Sequence, residues 1–178
     1  MIVLEGPSRV GKTTLKDKLL PRLGIAEWQR IPALEKWKAD YEVRRNLVVD
    51  QMNLLNSIDF SKVNLFVDRH PYISEFVYAM MHNRCSLFKP FDDGMLEDNI
   101  CIINMRGDWH SFEKVREQML YDGVMQWAGL HCTVFDVDTC ADESHMKHKS
   151  VDELAEEVMA DLIADKIMVK VRECQGRL

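Results

Sequence analysis

Gly6-Pro7-Ser8-Arg9-Val10-Gly11-Lys12-Thr13 is the stretch on which the fold reading turns. It fits the pattern G-x-x-x-x-G-K-[ST], and its flanks fit as well. The apolar run Ile2-Val3-Leu4 precedes it as a buried strand, and a helical pattern with Leu15, Leu19 and Leu20 on one side follows it. A glycine turn between strand and helix lets successive backbone N–H groups converge on an anion, and the helix N-terminus adds the positive end of its dipole. Gly6, Ser8, Val10, Gly11, Lys12, Thr13 and Thr14 are therefore expected to hold a triphosphate. Lys12 would reach the β- and γ-phosphates and the Thr13 hydroxyl would hold Mg²⁺, so ATP and Mg²⁺ are the expected cofactors.

Outward from this loop the chain alternates helix and strand. The first helix opens at Thr13 and is closed near Leu23 by Pro21. A strand over 24–29 follows, then a helix over 33–56 in which Leu47, Val48, Met52 and Leu55 recur at helical spacing. A strand over 63–67 ends at Asp68-Arg69-His70-Pro71, and Pro71 suits the first turn of a helix running to about Asn83. Residues 85–99 read as irregular, punctuated by Pro90 and Gly94. Strands over 100–105 and 133–137 flank a helix capped by Ser111. Ser150 and Glu153 form a capping-box pattern that opens a last helix towards Val171, with Leu154, Val158, Leu162 and Ile163 on its inner face. No repeat or low-complexity linker interrupts the order. It predicts one α/β domain over 1–178, a three-layer α/β/α arrangement around a five-stranded parallel sheet. Ligands of such sheets sit beyond the carboxyl ends of the strands, where 6–13, 27–30, 68–69 and Arg106 would gather.

Composition sets the bounds. The chain has 178 residues, 47% hydrophobic and 29% charged, which excludes wholesale disorder. A net charge of -6 disfavours an overall basic nucleic-acid binder while leaving room for a local basic groove. Five cysteines, widely spaced and without C-x-x-C, predict reduced thiols in a cytoplasmic protein. The first residues read as a strand and are not expected to be a signal peptide, and no apolar run approaches the roughly 20 residues that span a bilayer.

Asp68-Arg69 ends the third predicted strand, beside the phosphate loop. A carboxylate there can orient the water shell of Mg²⁺ or take a proton from an acceptor hydroxyl. The arginine can grip an anionic acceptor or the transferring phosphoryl group. Cys140, His145 and His148 fit no common zinc spacing and read as a loop. The eleven methionines read as core gap-fillers. Of the four tryptophans, Trp28 and Trp37 follow the second strand and are the expected stacking partners for an acceptor base.

Residues 2–14, Asp68-Arg69 with Ser74-Glu75-Phe76-Val77-Tyr78, and the order of elements resemble the thymidylate kinase and deoxynucleoside kinase group of P-loop kinases. The compact length and the Asp-Arg-His-Pro form look like bacteriophage members of that group. The resemblance implies a kinase that moves the γ-phosphate of ATP to a pyrimidine deoxynucleotide. It gives Lys12 and Thr13 the phosphate and metal roles, and makes Arg9 a loop arginine that helps catalysis. It implies that Asp68 and Arg69 act at the acceptor's reacting end, with Asp68 also near the metal. Glu27 falls where deoxynucleoside kinases keep a base, although Ala26-Glu27-Trp28-Gln29 departs from their pattern. Gln51 falls about where the group reads a pyrimidine edge, and an amide can donate and accept at once. The group often forms homodimers.

Two departures bear on the acceptor. Ser8 stands where thymidylate kinases usually carry a carboxylate for the sugar 3′-hydroxyl, which leaves room for an acceptor inside a DNA strand. The lid, about 105–118, has no arginine-rich segment. Met105-Arg106-Gly107-Asp108-Trp109-His110 leads straight into a helix with Lys114 and Arg116, so Arg106 is the expected clamp on the ATP phosphates. Three acceptors follow: a free deoxynucleoside monophosphate such as dTMP, a deoxynucleoside, or 5-hydroxymethyluracil within phage DNA. A non-catalytic nucleotide-binding regulator is the alternative from another class.

Overall fold

The five strands form one parallel sheet in the order β2-β3-β1-β4-β5. They are β1 (Ile2–Glu5), β2 (Ala26–Trp28), β3 (Leu65–Asp68), β4 (Cys101–Arg106) and β5 (Thr133–Asp138). The helices are α1 (Lys12–Leu23), α2 (Tyr41–Asn56), α3 (Pro71–Met81), α4 (Phe112–Ala128) and α5 (Val151–Ala164). The computed structural model describes residues 1–28, 40–58, 65–89, 96, 100–140 and 148–164. Trp37, His145, the Trp28 side chain, and the expected helical stretches 33–39 and 165–171 lie outside the described residues. No helix among the described residues is long and apolar enough to cross a membrane.

β1 is the pivot of the sheet. It pairs with β3 on one side (Ile2↔Phe66, Val3↔Val67, Leu4↔Asp68) and with β4 on the other (Ile2↔Cys101 through Glu5↔Asn104). The chain leaves β1 at Glu5 where neighbouring strands diverge to both sides, which opens a crevice above its carboxyl end. The alternating pleat divides the core between two faces. Ile2 and Leu4 face Leu15 and Leu19 of α1 and Leu154 and Val158 of α5. Val3 faces Met52 of α2, Ile73 and Val77 of α3, and Val124 of α4. Register also sorts two candidate carboxylates. Glu27 is level with Phe66 and Asp68 with Leu4, so both stand on the face that α1 covers.

The predicted punctuation is present. Pro21 sits in the last turn of α1, and Gly24 closes that helix in the left-handed conformation with φ 64°. The Ser111 hydroxyl accepts the Lys114 N–H at 3.4 Å. The capping box of α5 is complete: Ser150 N–H donates to Glu153 at 2.6 Å, and Glu153 N–H to Ser150 Oγ at 3.2 Å. One expectation needs correction. Ile163 is 59% exposed, and Ala155 takes its place inside. Leu154, Ala155, Val158 and Leu162 form the buried stripe, and Ile163 falls about 100° further round the helix than Leu162.

Candidate functional site

The phosphate loop turns tightly because its first and last glycines permit it. Gly6 and Gly11 have φ of 127° and 95°, and a side chain at Gly6 would run into the carbonyl oxygen of Met105. α1 starts at Lys12, so its N-terminus faces the hollow of the loop. A cavity of about 400 Å³ lies there, lined by Ser8, Arg9, Lys12, Thr13, Asp68 and Arg69 among others. The loop and the acidic–basic couple of β3 thus meet in one space. Arg9 and Arg69 are also two of the three described non-glycine residues with positive φ, at 69° and 72°. Strain of that kind persists only where surroundings hold it, and it gathers at functional sites.

Lys12 is buried, and its ammonium donates to the carbonyls of Gly6, at 2.9 Å, and Pro7. Burial first, then the neighbouring Arg69, lowers its pKa to about 7. Arg69 is 6% exposed and held from several sides. Its Nη1 donates to the Tyr121 hydroxyl and lies 3.9 Å from Glu5 Oε2, and its guanidinium sits 5.3 Å from the ring centre of Tyr78 and 5.8 Å from that of Tyr121. Burial works against its charge, but Tyr121, Tyr78, Glu5 and Asp68 outweigh that and raise its pKa. Glu5 also accepts the His70 N–H at 2.5 Å. Complete burial lowers the His70 pKa to about 4, so this imidazole is neutral at physiological pH.

Helix α4 reaches over and takes hold of Ser8. Ser8 N–H donates to Glu117 Oε1 at 2.8 Å, Ser8 Oγ is hydrogen-bonded to the Tyr78 hydroxyl at 2.9 Å, and Lys114 Nζ donates to the Ser8 carbonyl at 2.8 Å. Lys114 also pairs with Glu117 at 2.6 Å, and Tyr78 donates to Glu117 at 3.2 Å. Burial alone would raise the Glu117 pKa, but the hydrogen bonds from Lys114 and Ser8 hold it below the usual carboxylate value. Sequence reading missed Glu5, Tyr78, Tyr121 and Glu117 as site residues. Glu5 had a signal, a charge closing an apolar strand against a glycine. Lys114 and Glu117 had only helical spacing, which reads as an ordinary surface pair.

The remaining expected residues are placed as follows. Thr13 and Thr14 are exposed on the cavity wall. Arg106 is ion-paired with Asp122 at 3.3 Å and Asp138 at 3.9 Å and does not line that cavity. Arg116 donates to Met80 O and Asn83 Oδ1. From the expected lid, Lys114 is the cation that touches the loop. Glu27 pairs with Lys16 at 2.7 Å, which raises the Lys16 pKa against the effect of burial. Gln51 is 5% exposed, not solvated, and neither atom of its amide has a hydrogen-bond partner among the described residues. Arg44 is buried 3.8 Å from Glu75, while Arg45 is exposed. Cys140 and His148 approach to 3.7 Å, and no group of three metal-ligating side chains occurs among the described residues. Cys85, Cys101, Cys132 and Cys140 are free thiols. A second cavity, of about 270 Å³, adjoins the loop and shares Arg9, Gly11 and Thr14 with the first.

The chain has the parallel α/β fold, with the loop after its first strand, that is seen in solved structures of a deoxyadenosine kinase and a thymidylate kinase. No protein-family model matches the chain, and no curated protein matches it in sequence. YorR from Bacillus subtilis, solved in complex with phosphorylated GDP, superposes with a TM-score of 0.60 at 22% identity over 92% of this chain and 97% of that one. Deoxyadenosine kinase from M. mycoides, with dCMP and a flexible dCDP bound, gives 0.58 at 16% identity over 93% and 99%. Thymidylate kinase from Ehrlichia chaffeensis gives 0.61 at 17% identity over 90% and 97%.

Proposed function

We propose that this protein is an ATP-dependent phosphotransferase that moves the γ-phosphate of ATP to a pyrimidine deoxynucleotide, with dTMP as the reference acceptor. The observation that carries the reading is the meeting of Lys12, Thr13, Asp68 and Arg69 on one cavity above the N-terminus of α1. Loop amides and helix dipole favour the donor's phosphates, and Lys12 exchanges the carbonyls of Gly6 and Pro7 for phosphate oxygens. Arg69, fixed in advance by Tyr78, Tyr121 and Glu5, meets the acceptor's phosphate without reorganising, which is where such a cation acts best. Arg9, exposed at the mouth of the same cavity, and Lys114, on the loop carbonyl, supply further positive charge.

The Thr13 hydroxyl and the Asp68 carboxylate line one cavity and are the hard oxygen donors that Mg²⁺ takes. When bound, the ion neutralises charge on the phosphates as the γ-phosphoryl group transfers. The buried amide of Gln51, unpartnered among the described residues, suits the N3 and O4 edge of a thymine, one atom accepting and the other donating. The kinship of fold with a thymidylate kinase and a deoxyadenosine kinase supports an acceptor of nucleotide or nucleoside kind.

The test offers dTMP, thymidine and 5-hydroxymethyluracil-containing DNA in parallel with γ-labelled ATP and Mg²⁺. Label is expected in dTDP. Label only in thymidine phosphate or in DNA would replace the acceptor, and binding of ATP with transfer to none of the three would favour a regulator.

A further inference from the structure

The cavity of about 270 Å³ continues from the phosphate cavity through Arg9, Gly11 and Thr14, so a triphosphate on the loop leads into it. Its floor is apolar: Val10, Leu15, Met105 and Leu154 are all buried. Asp108 and His148 stand at its rim, and Trp109 forms a wall. An apolar slot with a few polar groups at its edge suits a flat heterocycle.

Trp109 is held in place from three directions. Its Nε1–H donates to Gln118 Oε1 at 3.2 Å, and the same oxygen accepts the Gly107 N–H at 3.2 Å. Gln118 is 8% exposed and tied to Asp122 at 2.9 Å. The Lys114 ammonium lies 5.5 Å from the indole centre while bonding the Ser8 carbonyl, which ties the ring to the loop. Gly107 is bare beneath it, since a side chain there would come within 2.7 Å of the ring. A wall fixed in this way loses little freedom on binding. The indole N–H is already used by Gln118, so the wall offers contact area rather than an edge to read.

We propose that Trp109 is the residue that selects the donor's base, favouring purine over pyrimidine triphosphates by the area of ring it covers. The proposal rests on the phosphotransferase reading and goes beyond it by assigning base selection to one side chain. A base–aromatic contact is worth about tenfold or more in affinity, and the two-ring base covers more of the indole than the one-ring base and so buries more area.

The experiment measures dissociation constants for the β,γ-imido analogues of ATP, GTP, CTP and UTP, and for inorganic tripolyphosphate, all with Mg²⁺. It uses the wild type, Trp109→Ala and Trp109→Phe. The wild type is expected to bind both purine analogues roughly several-fold tighter than the pyrimidine ones. Trp109→Ala is expected to lose that preference, Trp109→Phe to keep most of it, and tripolyphosphate to bind all three alike. A purine preference that survives Trp109→Ala overturns the proposal, as does tripolyphosphate binding that weakens in step with ATP, which would mark the indole as a support for the loop. Failure of the wild type to bind tripolyphosphate or any analogue removes the phosphotransferase reading and the proposal with it.

Discussion

Lys114 of α4 lies 2.8 Å from the carbonyl oxygen of Ser8 and 2.6 Å from Glu117, whose carboxylate accepts the Ser8 N–H. With Lys12 on the carbonyls of Gly6 and Pro7, three consecutive loop carbonyls are each met by a lysine ammonium. Lys114→Met removes one of them and leaves Glu117 without its strongest hydrogen bond. The expected result is a rise of about tenfold in the KM for ATP, with Lys114→Arg recovering part of the loss. Stability is expected to fall by about 1–3 kcal/mol, because Lys114 is partly exposed but the Glu117 carboxylate is buried and loses a partner. Steady-state kinetics beside thermal unfolding checks both, and an unchanged KM would remove Lys114 from the donor site.

The depressed pKa of Lys12, about 7, would make the proposed nucleotide binding a proton-linked event. A triphosphate favours the ammonium, so at pH 8 binding is expected to take up close to one proton, and at pH 6 far less. Calorimetry in buffers of different ionisation enthalpy reads this directly. The sign for folding follows from the same shift. The unfolded chain has a lysine near the ordinary value of 10.5, so between about pH 7 and 10 it binds more protons than the folded one, and the free protein gains stability as pH rises through that window. Lys12→Met is expected to flatten both dependences.

Gln51 carries a buried amide with no partner among the described residues, a cost that pairing with the proposed acceptor would relieve. Gln51→Leu is therefore expected to stabilise the free protein by about 1–2 kcal/mol while raising the acceptor KM at least tenfold. Urea unfolding and acceptor titration give the two numbers. A loss of stability together with an unchanged acceptor KM would mark Gln51 as structural.

Tyr121 holds the Nη1 edge of Arg69 inside the site. Tyr121→Phe keeps the ring but leaves that edge one partner short, at an expected cost of about 1–3 kcal/mol in stability and a fall in kcat larger than the change in donor KM. Arg69→Lys is not expected to substitute, because an ammonium lacks the planar guanidinium that lies beside the Tyr78 and Tyr121 rings. Equal effects on kcat and on tripolyphosphate affinity would contradict this division of roles.

Local chemistry made part of this site legible in the sequence. The loop from Gly6 to Thr13 and the couple at Asp68-Arg69 are short motifs whose reading rests on their own residue types, and the structure brings them to one cavity. Cap signals at Ser111, Ser150 and Glu153 were readable for the same reason. What long-range packing decides was not. Ser8 and Glu117 are 109 residues apart in sequence, and nothing near either of them announces the bond. Glu27 read, by resemblance, as a base at the end of the second strand, and its parity with Phe66 turns it towards Lys16 of α1. Arg106 read as a lid cation, and Asp122 and Asp138 engage it instead, because α4 and β5 bring both carboxylates to the end of β4. Gln51 could be placed on a helix from its spacing, but its burial depends on what α2 meets.

The most direct test of the account is transfer of γ-labelled phosphate from ATP to dTMP by the wild type, Lys12→Met and Arg69→Ala, with each variant shown to be folded. Label is expected in dTDP with the wild type, and both variants are expected to lose at least about 10³-fold in kcat/KM, Arg69→Ala while still binding the donor. Turnover within a few fold of wild type in either variant would contradict the claim that the loop and the β3 couple act on one phosphoryl group.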